Sequence, residues 1–237
     1  MLELIEKGSP SGAHPTSLLF VHGGWHAAWC WEDHFLGFFA DNGFRAVAVS
    51  LRGHGGSTRP KPLHFCSITD YVDDVAAAAS ILGTDPVVIG HSMGGFVVQK
   101  YLENHHAPAG VLMASMPSRA VHRAAVALRV MRRHPAATLR SWTVGTTADL
   151  VNTPRLTRDH FFSTHSPEHV VEACAERLQA ESIRAPGWLV PSRPDRVTTP
   201  LLVLGREIDR TITNDAVHAT ADAYGTAQSS SPVWDTT

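Results

Sequence analysis

At 237 residues the chain is long enough to bury one sizeable core, and 43% hydrophobic against 18% charged residues excludes an intrinsically disordered chain. A formal net charge of -2 does not suit a protein built as a whole to grip nucleic acid, so small molecules are the expected partners. Cys30, Cys66 and Cys174 are odd in number, far apart and outside any CxxC or Cys/His ligand spacing, so neither a disulfide framework nor a metal site is expected.

The first ten residues carry Glu3, Glu6 and Lys7 and no apolar signal-type run, and no later stretch approaches the ~18 apolar residues of a membrane span. A cytoplasmic protein with no membrane partner is the expectation. Residues 17–21 (SLLFV) then read as a buried strand, 31–42 as a helix closed by Gly43, and 44–50 (FRAVAVS) as the next strand. Behind Ser67, a plausible N-cap, Ile68, Tyr71, Val75, Ala79 and Leu82 recur at the three-and-four spacing of an amphipathic helix over 67–82. A strand over 86–90 (PVVIG), a helix over 96–104, strands over 110–114 (GVLMA) and 200–204 (PLLVL), and a helix over 214–224 complete the rhythm. Such alternation predicts the α/β class, a mostly parallel sheet with flanking helices.

Between 117 and 199 only helical patterns remain, which predicts an inserted helical cap at 117–199 on a core made of 1–116 and 200–237. Its first half is basic: Arg119, Arg123, Arg129, Arg132, Arg133 and Arg140 lie in a stretch with no Asp or Glu between Glu103 and Asp149. Either a solvated helix face paired with acids elsewhere or a docking place for an acidic substrate or carrier protein accounts for it.

Chemistry concentrates at Gly90-His91-Ser92-Met93-Gly94-Gly95, where a strand meets a helix. A serine at so sharp a turn is lifted clear of the sheet, its neighbours must be glycine for want of room, and the helix beyond points amides at developing negative charge. Ser92 is the candidate nucleophile. His22-Gly23-Gly24-Trp25 follows the 17–21 strand and offers a second loop of amides. A tetrahedral intermediate needs two donors for its oxyanion, and the amides of Gly24 and Met93 are the candidates, with His22 bracing the loop.

These two motifs, with Ser50-Leu51-Arg52-Gly53-His54-Gly55-Gly56-Ser57 between them, resemble the α/β-hydrolase superfamily from about residue 2 to 225. Trp25 and Ala28-Trp29-Cys30-Trp31 are similar to its esterase and hydroxynitrile-lyase-like branch, whose members often hydrolyse small carboxylic esters. The resemblance implies an α/β-hydrolase fold, no cofactor or metal, and a triad acid shortly after strand 200–204. Counting from Gly205, that acid is Asp209, with Glu207 the runner-up. It also implies a last strand, a histidine-bearing loop and a C-terminal helix, where this chain instead reads Gly225-Thr226-Ala227-Gln228 and a Ser-rich tail. No histidine follows His218, which falls inside a helix, and His91, though next to Ser92, points away on a strained turn.

The expectation is therefore a fold whose last strand and C-terminal helix are missing. In a reading frame shifted by one nucleotide, Trp234-Asp235 must encode Gly and Asp235-Thr236 then His or Tyr, which fits a one-nucleotide deletion in an ordinary serine hydrolase gene. An uncovered sheet edge would favour a homodimer. Two functions follow: a small-ester hydrolase working through a Ser92 acyl-enzyme and impaired for want of a triad histidine, or a catalytically dead homologue binding a small ligand or protein partner.

Overall fold

The computed structural model describes residues 1–206, 209, 211–226 and, by the course of their backbone, 228–231. Among the described residues seven strands form one sheet: β1 (Glu3–Lys7), β2 (Leu18–Val21), β3 (Ala46–Ser50), β4 (Val87–His91), β5 (Gly110–Met113), β6 (Leu201–Arg206) and β7 (Gln228–Ser231). Their spatial order is β1-β3-β2-β4-β5-β6-β7, and only β1 runs antiparallel to its neighbour. Every residue of β2 and β3 is buried, as expected of parallel strands covered on both faces. Alternation divides them: Leu19, Val21, Val47 and Val49 pack with α2 (Ile68–Leu82) and α3 (Met93–Leu102). Leu18, Phe20, Ala46 and Ala48 meet Trp31 and Leu36 on the other face.

The cap of α2 forms as its sequence predicts, with the Ser67 amide and hydroxyl both donating to the Asp70 carboxylate at 2.8 Å and Gly83 closing the helix at φ 74°. The helix expected over 31–42 is broken instead into a 3₁₀ turn (Ala28–Trp31), a π turn (Glu32–Leu36) and a short α1 (Gly37–Asp41). Packing decides this. Trp31 and Phe35 both turn their rings onto Phe20, at centroid distances of 5.1 and 6.2 Å.

Two strands lack the apolar signal that would have announced them. β1 carries charge on an edge, where Glu6 pairs with Arg45 at 2.7 Å. β7 corrects the expectation of a missing last strand: Val203 lies opposite Gln228 and Arg206 opposite Ser231. The ladder joins β7 to β6 by backbone register, which needs no apolar side-chain pattern to form. The expectation that a C-terminal helix is missing concerns the tail 232–237, which lies outside the described residues.

Between β5 and β6 the chain builds α4 (Ala120–Arg133), α5 (Pro135–Val144), α6 (Pro154–Phe161) and α7 (Glu168–Arg177), and α8 (Asn214–Ala223) follows β6. The basic stretch divides by environment. Arg123 is fully buried, donating to the carbonyls of Pro117, Ser118 and Val190 at 2.9, 2.5 and 2.5 Å with its guanidinium over the Phe96 ring. Arg129 donates to the Thr211 carbonyl, and Arg140 pairs with Asp149. Arg119, Arg132 and Arg133 are exposed, without an ion pair among the described residues.

Candidate active site

Ser92 stands between the end of β4 and the start of α3 at φ 52° and ψ -118°, a conformation that costs a non-glycine residue about 1–3 kcal/mol. Surrounding bonds hold it there. Its amide donates to the Met113 carbonyl at 3.0 Å, and its own carbonyl accepts from the amides of Gly95 at 3.0 Å and Met116 at 2.8 Å. The glycines serve close packing. A Cβ on Gly90 would lie 2.7 Å from the Gly94 carbonyl carbon, one on Gly94 2.5 Å from the Val21 oxygen, and one on Gly95 2.5 Å from the Ser115 Cβ. The first turn of α3 therefore rests directly on the backbone of β2 and β4 and against the Ser115 side chain just beyond β5.

The loop after β2 comes alongside. Buried His22 receives the Leu51 amide on Nε2 at 3.0 Å, so Nδ1 carries the proton and donates to the Gly23 carbonyl at 2.8 Å. Burial first, then the neighbouring His54, holds its pKa well below the ordinary imidazole value, so it braces the loop as a neutral ring. A Cβ on Gly23 would approach Ser92 Cβ to 3.1 Å, which leaves glycine as the residue that fits beside the serine. The amides of Gly24 and Met93 have no acceptor among the described residues. Trp25 then ties this loop to the helical segment: its indole donates to Thr147 Oγ1 at 2.8 Å, and its carbonyl accepts from the Gln179 amide at 2.9 Å.

Asp209 follows β6, its Oδ1 accepting from the amides of Thr211 and Ile212 at 2.7 and 2.8 Å, which orients the carboxylate. Glu207, the runner-up, lies outside the described residues. A single cavity of about 830 Å³ brings Gly24, Ser92, Met93 and Asp209 together, walled by apolar side chains such as Met116, Leu128, Trp142, Phe161 and Trp188. All four residues singled out by sequence are thus found on one surface.

Three histidines reach the same wall: His26, His91 and His160. His26 donates from Nδ1 to the Gly24 carbonyl at 2.9 Å and His160 to the Leu156 carbonyl at 2.9 Å. Burial draws the pKa values of His26 and His91 down to about 4, and lowers that of His160. Among the described residues no hydrogen bond joins an imidazole to the Ser92 hydroxyl. His218 is exposed on α8, outside the cavity wall. Sequence reasoning missed His26 and His160 because no spacing marks them; folding of the helical segment over the sheet places them there.

Also unforeseen is a buried cluster around Glu181 on the cavity wall. His54 Nε2 lies 3.3 Å from its carboxylate, the Tyr71 hydroxyl donates to it at 2.6 Å, and the Ser182 amide at 2.8 Å. Burial opposes protonation of His54, but the Glu181 charge and hydrogen bond prevail and lift its pKa above the ordinary value. Burial, then Glu181, pushes the Tyr71 phenol up.

The profile of the alpha/beta hydrolase family matches residues 18–234. Among curated proteins the chain is similar to a bifunctional esterase/perhydrolase of Acinetobacter calcoaceticus, 37% identical over 111 residues that cover 45% of this chain and 39% of that protein. It is also similar to a non-heme chloroperoxidase of Streptomyces lividans, 36% identical over 104 residues that cover 42% and 37%. The chain thus spans about two fifths of the length of these relatives. Among solved structures, a thermophilic esterase from Thermogutta terrifontis superposes with a TM-score of 0.66 at 21% identity over 98% of this chain and 84% of that one. A carboxylesterase of Nitrososphaera gargenis gives 0.71 at 15% identity over 98% and 86%. At such identities the likeness speaks to the fold.

Proposed function

This chain belongs to the alpha/beta hydrolase family, and from that premise we propose that it is a serine hydrolase acting on small carboxylic esters. Ser92 is the nucleophile, Asp209 the triad acid, and the amides of Gly24 and Met93 the oxyanion donors. The observation that carries the reading is the convergence of these four on one largely apolar cavity. Ser92 Oγ attacks the acyl carbonyl, the bond to the alcohol oxygen breaks, the alcohol leaves with a proton, and water then releases the acid from the acyl-enzyme. Each oxyanion donor is worth roughly 10²–10³ in kcat. The segment 117–199 acts as a cap that closes the cavity and limits substrates to small molecules.

With no imidazole bonded to Ser92 among the described residues, slow turnover belongs to the proposal. Systems that lose a triad member retain only about 10³–10⁴ over water. The 237-residue protein should hydrolyse p-nitrophenyl acetate slowly, Ser92→Ala should remove that rate, and added imidazole should raise it by supplying the base. Fluorophosphonate labelling should place its adduct on Ser92 by mass spectrometry. A rate indifferent to Ser92→Ala would sink the nucleophile assignment. The same missing bond favours a second reading, a catalytically dead homologue that binds a small ligand or protein partner. It predicts ligand binding in the cavity with no turnover in any of these assays.

A further inference from the structure

Exposed apolar residues recur along α4 at Val121, Ala124, Leu128 and Met131, intervals of three, four and three that put them in one stripe. On α5, Leu139 and Trp142 stand one turn apart, each 65% exposed. Ala124, Leu128, Met131 and Trp142 also line the cavity that holds Ser92, so the stripe forms the rim of its mouth. The charge beside it is mostly positive, although Asp159 shares a small pocket with Arg133 and Asp149 pairs with Arg140. Arg119 precedes α4, Arg132 and Arg133 end it, all three are exposed without an ion pair among the described residues, and no acidic residue occurs from 104 to 148.

We infer that α4 and α5 form a docking surface for an anionic lipid membrane, with the mouth of the Ser92 cavity turned toward the bilayer. Apolar side chains of this size enter the boundary between headgroups and acyl chains, and guanidinium groups beside them meet lipid phosphates. A second copy of the chain fits less well, because residues 104–148 carry no acidic side chain to meet Arg119, Arg132 and Arg133 in a stripe-to-stripe contact. The association is with the membrane surface: no described helix is long and apolar enough to cross a bilayer, and the stripe occupies one face. The inference rests on the proposed function in a single respect, that lipophilic esters would then reach Ser92 from the membrane side.

Co-sedimentation with vesicles tests it, using the Ser92→Ala protein so that binding is read without turnover. The protein should pellet with vesicles of phosphatidylcholine containing phosphatidylserine, and raised salt should release it. A Val121→Ser, Leu139→Ser double variant, at two rim positions outside the cavity wall, should weaken binding about tenfold or more. Arg132→Glu with Arg133→Glu should do the same, both variants keeping the parent melting temperature. Protein that stays in the supernatant with either kind of vesicle overturns the inference. Equal binding to neutral vesicles, indifferent to the arginine changes, does so as well. Light scattering that shows a dimer dispersed by Leu139→Ser assigns the stripe to a second copy instead. Because vesicle binding needs no hydrolysis, its failure and the failure of the ester assay are separate results.

Discussion

A methyl group at Gly94 would sit 2.5 Å from the Val21 oxygen and 2.9 Å from the His22 carbonyl carbon, both backbone atoms of β2 and the loop after it. Backbone cannot rotate aside as a side chain can. Gly94→Ala should therefore cost about 1–3 kcal/mol of stability, read as a lowered urea midpoint. At His54 the consequence is a pH dependence. Its folded pKa is raised by Glu181 above the unfolded imidazole value of about 6.5. The folded state thus holds the proton more tightly, and the stabilisation is full below that value and lost as pH rises through the folded pKa. His22, His26 and His91, kept neutral by burial, act in the opposite sense, so the quantity to read is wild type minus Glu181→Gln. That difference in melting temperature should shrink as pH rises from about 6.5; parallel curves would show that the pair does not titrate with folding.

For the elements, Arg123 is the joint of the helical segment. It binds the carbonyls of Pro117 and Ser118, where the segment begins, to that of Val190, near its end. Arg123→Met keeps the bulk over Phe96 but strands those carbonyls, at a cost of about 3 kcal/mol for charge-assisted bonds. Urea unfolding measures that cost, and limited proteolysis should cut within 117–199 before it cuts the sheet. Which elements were legible follows from what made them. The strands around 17–21, 44–50 and 86–90 announce themselves because parallel strands covered on both faces are continuous apolar runs, and those around 110–114 and 200–204, only partly buried, carry such runs too. β1 and β7 are edge or serine-rich strands held by backbone pairing, which leaves no period to read. Nor does helical periodicity distinguish the 3₁₀ and π turns at 28–36 from an α-helix, since the choice is made by where Trp31 and Phe35 find room.

Across the whole molecule, local chain geometry and long-range packing divide the site between them. By itself the sequence determined the class of fold, the strand-to-helix turn at Ser92, the need for glycine at 90, 94 and 95, and the order in which Gly24, Ser92 and Asp209 arrive. Each of these follows from steric and periodic rules that act within a few residues. Only the tertiary structure decided that Gly24, Met93, Ser92 and Asp209 share a cavity, that His26 and His160 join its wall, and that Glu181 meets His54 and Tyr71 across more than a hundred residues of chain. The division of the arginines was settled there too, with Arg123 sealed inside while Arg132 and Arg133 stand at an apolar rim. Burial is a property of the assembled surface, and no window along the chain contains the partners that produce it.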